Sequence, residues 1–296
     1  VPFIVTFGHQ RLRKAHDQRS SLERLIEDTV PRMQADVLIV LAGTGAMLAR
    51  ETIGRLLTLG DDVTLTAVLS RDWDDNGEQD LRDALIAAMV GLGLAAVRVT
   101  PGPEGVSSAP ELALEALLMQ YATMEIDALT LTTRAAIPDI LAMAHASELP
   151  LADQIDLVQN TLGLTSRQVQ TIARYRAGLE AAGESSQRIS AMLARRITAL
   201  RQQRAETIAR TEAQNAVVLG QEAVWQDAVQ RGLVQAGDIR RYWVIGAGAC
   251  PTICALIPGM NQEGRGLEEP FETPIGPIMR PTAHPNCKCS LAGRWI

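Results

Sequence analysis

The sequence predicts a mainly α protein. It has an N-terminal α-rich region that leaves an α+β arrangement open, then long helices, then a small irregular Cys-rich module with a short β-hairpin. Three observations carry this. Apolar residues recur at helical spacing between capping residues across 166–231. Past residue 240 that periodicity vanishes, and Gly and Pro crowd in. All four cysteines fall within the last 50 residues.

Taken in order, the first region is the hardest to read. Leu22, Leu25 and Ile26 stand at helical spacing before Pro31, with Ser20 or Ser21 as a cap. Residues 37–46 read as an apolar strand running into Gly43-Thr44-Gly45, the opening of a dinucleotide loop. The third Gly of that fingerprint is missing, since position 48 is Leu48, so a helix–turn is the better reading. Residues 47–59 have helical spacing. Residues 63–69 alternate and suggest a strand. Residues 80–91 and 110–124 read as helices, the second with Pro110 at its first turn. Residues 72–79 and 100–108 read as loops. The acidic run Asp72, Asp74, Asp75, Glu78, Asp80 lacks the Gly and terminal Glu of a calcium loop, so it reads as solvated.

The middle is sharper. Thr165 is a natural N-cap for a helix over 166–182, with Val169, Ile172, Ala173 and Leu179 as its apolar stripe. Gly183 stops it, and Ser185 or Ser186 starts a helix that reaches Arg231, with Gly232 just past its end. At about 1.5 Å per residue such a helix spans about 70 Å. Its stripe is narrow, which predicts a polar outer face. The tail, with a hairpin expected at 271–279, has too few large apolar side chains to fold unaided, and modules this small need a staple.

Composition bounds the function. A chain of 296 residues makes roughly two domains. We divide it into residues 1–160, 161–232 and 233–296. At 47% apolar and 21% charged it is not a disordered chain. The longest uncharged apolar runs, 37–49 and 84–97, fall short of the about 20 residues a membrane helix needs, so no membrane span is expected. The first residues lack the zones of a secretory signal. The chain opens on Val1, so an initiator Met or more is expected ahead of it. Net charge is −6, split as −11 over 1–164, +4 over 165–232 and +1 over 233–296. This balance argues against a generally basic nucleic-acid coat, and it opposes a free DNA-binding zinc protein, the weaker third option. Lysine occurs only at 14 and 288, so the basic residues are nearly all Arg.

The staple is Cys250-Pro-Thr-Ile-Cys254 followed by His284-Pro-Asn-Cys287-Lys-Cys289. Four thiols and one imidazole in two clusters can converge on a structural zinc ion, with one of the five left over. Two disulfides or reduced buried thiols are the alternatives. Glu206 and Arg210 form an i,i+4 pair. Glu212, on another face, can reach the module and accept from His284 or a backbone N–H, so Arg210 and Glu212 are the expected helix-to-module anchor. Trp225 and Trp243 are expected in the core. His9, His16 and His145 have no evident partners, and neither a Gly-x-Ser-x-Gly nor a phosphate loop occurs.

Several segments follow one another in a telling order: Gly163-Leu164-Thr165-Ser166-Arg167-Gln168, Ile208-Ala209-Arg210-Thr211-Glu212, Trp225, Trp243, Cys250, Cys254 and His284-Pro285-Asn286-Cys287-Lys288-Cys289. In this order residues 163–296 resemble the tailed-bacteriophage head morphogenesis family, the Mu F-like minor head proteins. Two departures stand out: the first cysteine pair is C-x3-C rather than C-x-x-C, and Gly246-Ala247-Gly248 replaces an acidic residue before it. The resemblance implies a minor head structural protein of the phage virion, assembled in the host cytoplasm near the portal vertex, in multiple copies and not an enzyme. It would contact portal protein, capsid or scaffold proteins and packaged double-stranded DNA. Arg167, Arg174, Arg176, Arg188, Arg195, Arg196, Arg201 and Arg204 are the candidate contacts. A phage-encoded nuclease or transferase using the C-terminal module is the alternative.

Overall fold

The computed structural model describes residues 4–43, 50–73, 78–102, 111–147 and 149–295. The chain is mainly helical, 69% of it, and among the described residues it has one two-stranded antiparallel sheet, near the C-terminus. In order the elements are α1 (Ile4–Gly43), α2 (Arg50–Leu59), α3 (Asp62–Asp72), α4 (Glu78–Val99), α5 (Glu111–Arg134), α6 (Ile137–His145), α7 (Leu151–Thr161), α8 (Ser166–Ala181) and α9 (Ser186–Gln230). Then come β1 (Ile239–Val244), the single turn α10 (Ile257–Met260) and β2 (Ser290–Trp295).

Expectations for the N-terminal region are corrected at Pro31 and at 63–69. The helix before Pro31 does not end there but runs on through 37–43, which is helical as the helix–turn reading has it and not a strand: both stretches lie in α1. Val30, Met33, Val37, Val40 and Leu41 are all buried, so the apolar spacing runs through the proline with helical period. Pro31 is exposed, and the Glu27 carbonyl that loses its amide partner can turn to water. Residues 63–69 are helical too. Asp61 caps α3 by accepting from the Thr64 N–H at 3.0 Å, and the Thr64 hydroxyl together with that N–H holds the Asp61 carboxyl below its ordinary pKa. Leu65 and Leu69 are buried while Val63 is exposed, an i,i+4 face that the alternation disguised. The Gly-Thr-Gly turn beyond Gly43, the centre of the acidic run at 74–77 and the loop at 103–108 lie outside the described residues.

The helix ends in the middle follow their local chemistry. Thr165 accepts from Gln168 N–H at 3.4 Å, and Gln168 Oε1 accepts from Thr165 N–H at 3.0 Å, a capping box. The helix stops at Gly183 (φ +72°): its N–H bonds Glu180 O, and that of Glu184 bonds Leu179 O at 3.1 Å. Ser185 Oγ accepts from Arg188 N–H and starts α9. The same glycine stop recurs at Gly232 (φ +70°), with Leu233 N–H on Ala228 O.

The chain forms two compact units, each drawing on more than one of the sequence segments 1–160, 161–232 and 233–296. One comprises Gln34–Leu85 and Ala122–Glu206. Its core joins α2, α3, α6, α7, α8 and the first half of α9, with Ile189, Leu193, Ile197 and Leu200 as the α9 stripe. Gly163 turns the chain between α7 and α8 at φ +85°, where a Cβ would lie 2.5 Å from Leu41 O. Arg204 holds this turn from inside, donating to Gly163 O at 2.6 Å and Thr133 Oγ1 at 2.9 Å. Burial lowers its pKa to about 10.

The other unit comprises Val1–Met33, Ile86–Tyr121 and Thr207–Ile296. Here the polar outer face expected for α9 is absent. Residues 212–222 are buried all round. One reason is a backbone-level crossing with α4: a Cβ on Gly220 would lie 2.4 Å from Gly93 O. The other reason is the C-terminal module. Its β1–β2 ladder runs from Ile239↔Trp295 to Val244↔Ser290. The expected hairpin at 271–279 is present as one bridge, Phe271↔Ile278, with hydrogen bonds of 2.8 and 2.9 Å.

The crossing yields a paired prediction. Gly220→Ala will destabilise the protein by about 1–3 kcal/mol, because a methyl group must force two backbones apart. Gly91→Ala, in the same helix as Gly93 but with open space at its Cβ, will be neutral or stabilise by up to about 1 kcal/mol. Urea unfolding of both variants checks this.

Candidate metal centre

The module is built from tight turns pinned to one helix. Past β1, Gly246 passes against the cysteine loop so closely that a Cβ there would lie 1.9 Å from Lys288 O. The loop from Cys250 folds back through Ala255 N–H to Cys250 O and Ile257 N–H to Cys254 O, which turns the Cys254 sulfur inward. A second turn, Cys287 N–H to His284 O at 3.1 Å, carries Asn286 at φ +60°, a left-handed position that Asn tolerates.

These turns bring three ligand atoms together. Cys254 Sγ, His284 Nε2 and Cys287 Sγ all lie within 4.8 Å of one another. Cys254 Sγ is 3.1 Å from His284 Nε2 and 3.7 Å from Cys287 Sγ. The sulfurs are far beyond the about 2.05 Å of a disulfide, and all four cysteines are free thiols. His284 Nδ1 lies 2.8 Å from Pro285 O. A proton on Nδ1 donated to that carbonyl leaves the Nε2 lone pair facing the sulfurs, the orientation a metal ligand needs.

Electrostatics points the same way. Burial pushes the Cys254 thiol up to about 11, with the Cys289 charge adding to it. The hydrogen bond between Cys287 and Cys289 splits that pair: it raises Cys287 and draws Cys289 down to about 5. Buried thiols this close cannot all ionise unless a cation compensates them. The cluster is compatible with a metal ion. Cys250 stands apart on the exposed side, its sulfur 3.2 Å from Thr252 Oγ1, and that hydroxyl lowers its pKa to about 7.

The anchor to the helix lies beside the expected pair. Asn286 N–H donates to Thr211 Oγ1, and Asn286 Nδ2 donates to Thr207 Oγ1, both at 3.1 Å. Thr211, flanked by Arg210 and Glu212, therefore meets the cysteine loop directly. Glu212 is buried and accepts from Asn215 Nδ2 at 3.2 Å, while Asn215 Oδ1 accepts from Thr282 of the module at 3.0 Å. Farther along α9, Gln221 makes a two-way bond to the Leu291 backbone, at 2.7 and 3.2 Å. One turn on, the Trp225 indole covers Gly293, where a Cβ would come within 2.5 Å of it. Trp225 and Trp243 are both core residues, as expected.

The sequence reading missed the strongest contact. Arg241 is 1% exposed. It donates to Glu222 Oε1 at 2.6 Å, Gly266 O at 3.0 Å, Met279 O at 2.9 Å and Glu269 O at 2.5 Å. Its guanidinium carbon also sits 5.3 Å from the Phe271 ring centroid. The other Glu222 oxygen pairs with Arg280 at 3.1 Å. Burial pushes the Glu222 carboxyl up, and Arg280 and Arg241 pull it back. One signal was available: Ile239, Arg241 and Trp243 share the inward face of β1, and a charge there demands a partner.

The eight arginines separate. Two are corrected as contact candidates: Arg176 is buried against Glu180, and Arg204 is buried on the Gly163 turn. Arg201 is half-buried and donates to Asn160 O at 2.5 Å. Arg167, Arg174, Arg188, Arg195 and Arg196 are exposed, with Arg188 paired to Glu184 at 3.2 Å. His145 does have a partner, Asp62 at 2.7 Å, while the side chains of His9 and His16 lie outside the described residues. The chain matches no protein-family model, no curated protein and no solved structure.

Arg241→Ala will cost about 3–5 kcal/mol, since it strands the buried Glu222 carboxylate and three carbonyls. Adding Glu222→Gln to it will recover part of that loss. A double-mutant cycle in urea reads both.

Proposed function

We propose that this chain is a minor head protein of a tailed phage, a structural component of the virion that acts in head morphogenesis near the portal vertex. The observation that carries this is that the residues of the resemblance share structural work. Thr165 and Gln168 close a capping box, Thr211 and Asn286 join helix to loop, Trp225 packs on Gly293, and Cys254, His284 and Cys287 cluster. That division of labour suits a rigid assembly part. No described helix is long and apolar enough to cross a membrane.

In this reading the metal is a structural zinc ion. Tetrahedral zinc with about 2.3 Å Zn–S and about 2.0 Å Zn–N bonds sets its ligand sulfurs about 3.8 Å apart, and sulfur and nitrogen about 3.5 Å apart. The sulfur separation of 3.7 Å fits this, and the 3.1 Å sulfur–nitrogen contact opens slightly on binding. The partners are portal protein, capsid or scaffold proteins and packaged double-stranded DNA, with several copies per virion. The exposed Arg167, Arg174, Arg188, Arg195 and Arg196 are the side chains available to them.

Two measurements test this. The protein will co-sediment with portal protein or procapsids, and its absence from both proheads and virions would contradict the reading. If Arg195 and Arg196 meet phosphate, changing both to Gln will flatten the log–log salt dependence of DNA binding by about 1.8, at about 0.9 for each phosphate no longer neutralised. An unchanged slope removes them from the DNA interface.

A further inference from the structure

The unit of Gln34–Leu85 and Ala122–Glu206 holds a cleft between α7 and α9, far in sequence from the cysteine loop. We propose that this cleft receives the arginine-bearing outer face of α8 from a second copy of the chain, so that copies join head to tail. Such a contact goes beyond the proposed function and does not depend on a metal.

The cleft has a volume of about 260 Å³. That is below the about 300–1,000 Å³ of small-molecule sites and suits protruding side chains. Leu149, Leu157, Leu193 and Ile197 give it an apolar floor. One wall is polar. Asp153, Asp156 and Asn160 stand at i, i+3 and i+7 on α7 and so share one face of that helix. Arg50 already holds Asp156, and it also donates to Gln159 Oε1 at 3.1 Å. Asp153 is half-buried, and among the described residues no cation pairs with it. A carboxylate above an apolar floor fits a long cationic side chain. The methylenes lie on the floor while the charged head meets the acid.

The outer face of α8 offers that cation in matching register. Arg167 and Arg174 are exposed and seven residues apart, which puts them on one face about 10 Å apart along the axis. Asp153 and Asn160 have the same separation on α7. Val169, Ile172 and Arg176 fill the opposite side of α8. The one carboxylate of α8, Glu180, is taken by Arg176, so nothing acidic screens the outer face. The rest of that face is neutral and partly small. Gln170, Ala177 and Gly178 are exposed, and a Cβ at Gly178 would meet open space, so another helix can approach closely. The exposed arginines of α9 are less suited. Arg188 is paired with Glu184, and Arg195 and Arg196 directly follow Ala194, which lines the cleft itself. The contact sets the acidic stretch 1–164, net −11, against the basic stretch 165–232, net +4. Face and cleft are different surfaces, so the contact is heterologous: copies add in one direction and close a ring or extend a filament.

Sedimentation velocity of the full chain, freed of nucleic acid, tests this. Wild type should self-associate at low salt, and added salt should weaken it, because ion pairs at a wet rim are screened. Asp153→Arg, and separately Arg167→Glu with Arg174→Glu, should each weaken self-association by at least about 100-fold, since like charges then face each other. Mixing the two variants should restore association, because each supplies the surface the other lacks. Ala194→Trp should block association with no change of charge, by filling the cleft from an exposed position. Unchanged circular dichroism and an unchanged urea midpoint establish that each variant is folded. If Asp153→Arg does not fold, the arginine variant and Ala194→Trp decide. Wild type that stays monomeric at low salt and high concentration overturns the proposal. So does self-association that either the arginine variant or Ala194→Trp retains in full. A monomer that still co-sediments with portal protein overturns this contact and leaves the proposed function standing.

Discussion

The C-terminal module depends on a buried guanidinium. Residues 239–295 contain two short strands and one helical turn, far too little regular structure to close a core. Arg241 gathers three separate loop carbonyls, those of Gly266, Glu269 and Met279, and ties them to Glu222 of α9. Burying two charges costs several kcal/mol for each ion, and it is offset only when every donor and lone pair finds a partner. Arg241 and Glu222 come close to that condition, because Arg280 takes the second carboxylate oxygen. The pair therefore defines one arrangement of loops rather than adding much net stability.

The second half of α9 makes sense in that light. A surface helix shows one polar face, but from 212 to 222 this helix has none. Three of its buried polar residues, Asn215, Gln221 and Glu222, meet backbone or side-chain partners in the module. Thr207, Thr211, Asn215, Glu222 and Trp225 recur at three-, four- and seven-residue steps, with Gln221 alongside, so one stripe of the helix faces the module from end to end. The ligand loop is part of the same surface: His284 and Cys287 flank Asn286, which donates to the helix twice. A metal ion at the cysteines would thus fix the loop that holds the helix.

What was legible in the sequence follows from whether the signal was local. Thr165, Gly183, Ser185 and Gly232 mark helix ends through bonds spanning three to five residues, and those ends fall within a residue of where the caps put them. All three clustered ligands, Cys254, His284 and Cys287, sit in short motifs. The rest was long-range. The β1–β2 ladder joins strands some fifty residues apart, and no pattern in either strand names its partner. Residues 63–69 alternate by coincidence, and their burial at Leu65 and Leu69 is set by neighbours. Glu212 is expected to accept from a backbone N–H of the module, yet it is the neighbouring Thr211 hydroxyl that does so, from Asn286, while Glu212 accepts from Asn215. Arg204, read as a partner contact, is an inward structural donor, because a guanidinium can satisfy a buried carbonyl that no short side chain reaches.

The central claim is that module and helix form one cooperative unit. Native-state amide hydrogen exchange tests it most directly, through the N–H groups of Arg241 and Leu291 and those of residues 213–222. The account predicts a single opening free energy for all of them, equal within error to that of global unfolding of this part of the chain. Exchange at Arg241 and Leu291 through a much cheaper opening, while the helix amides stay protected, would contradict it.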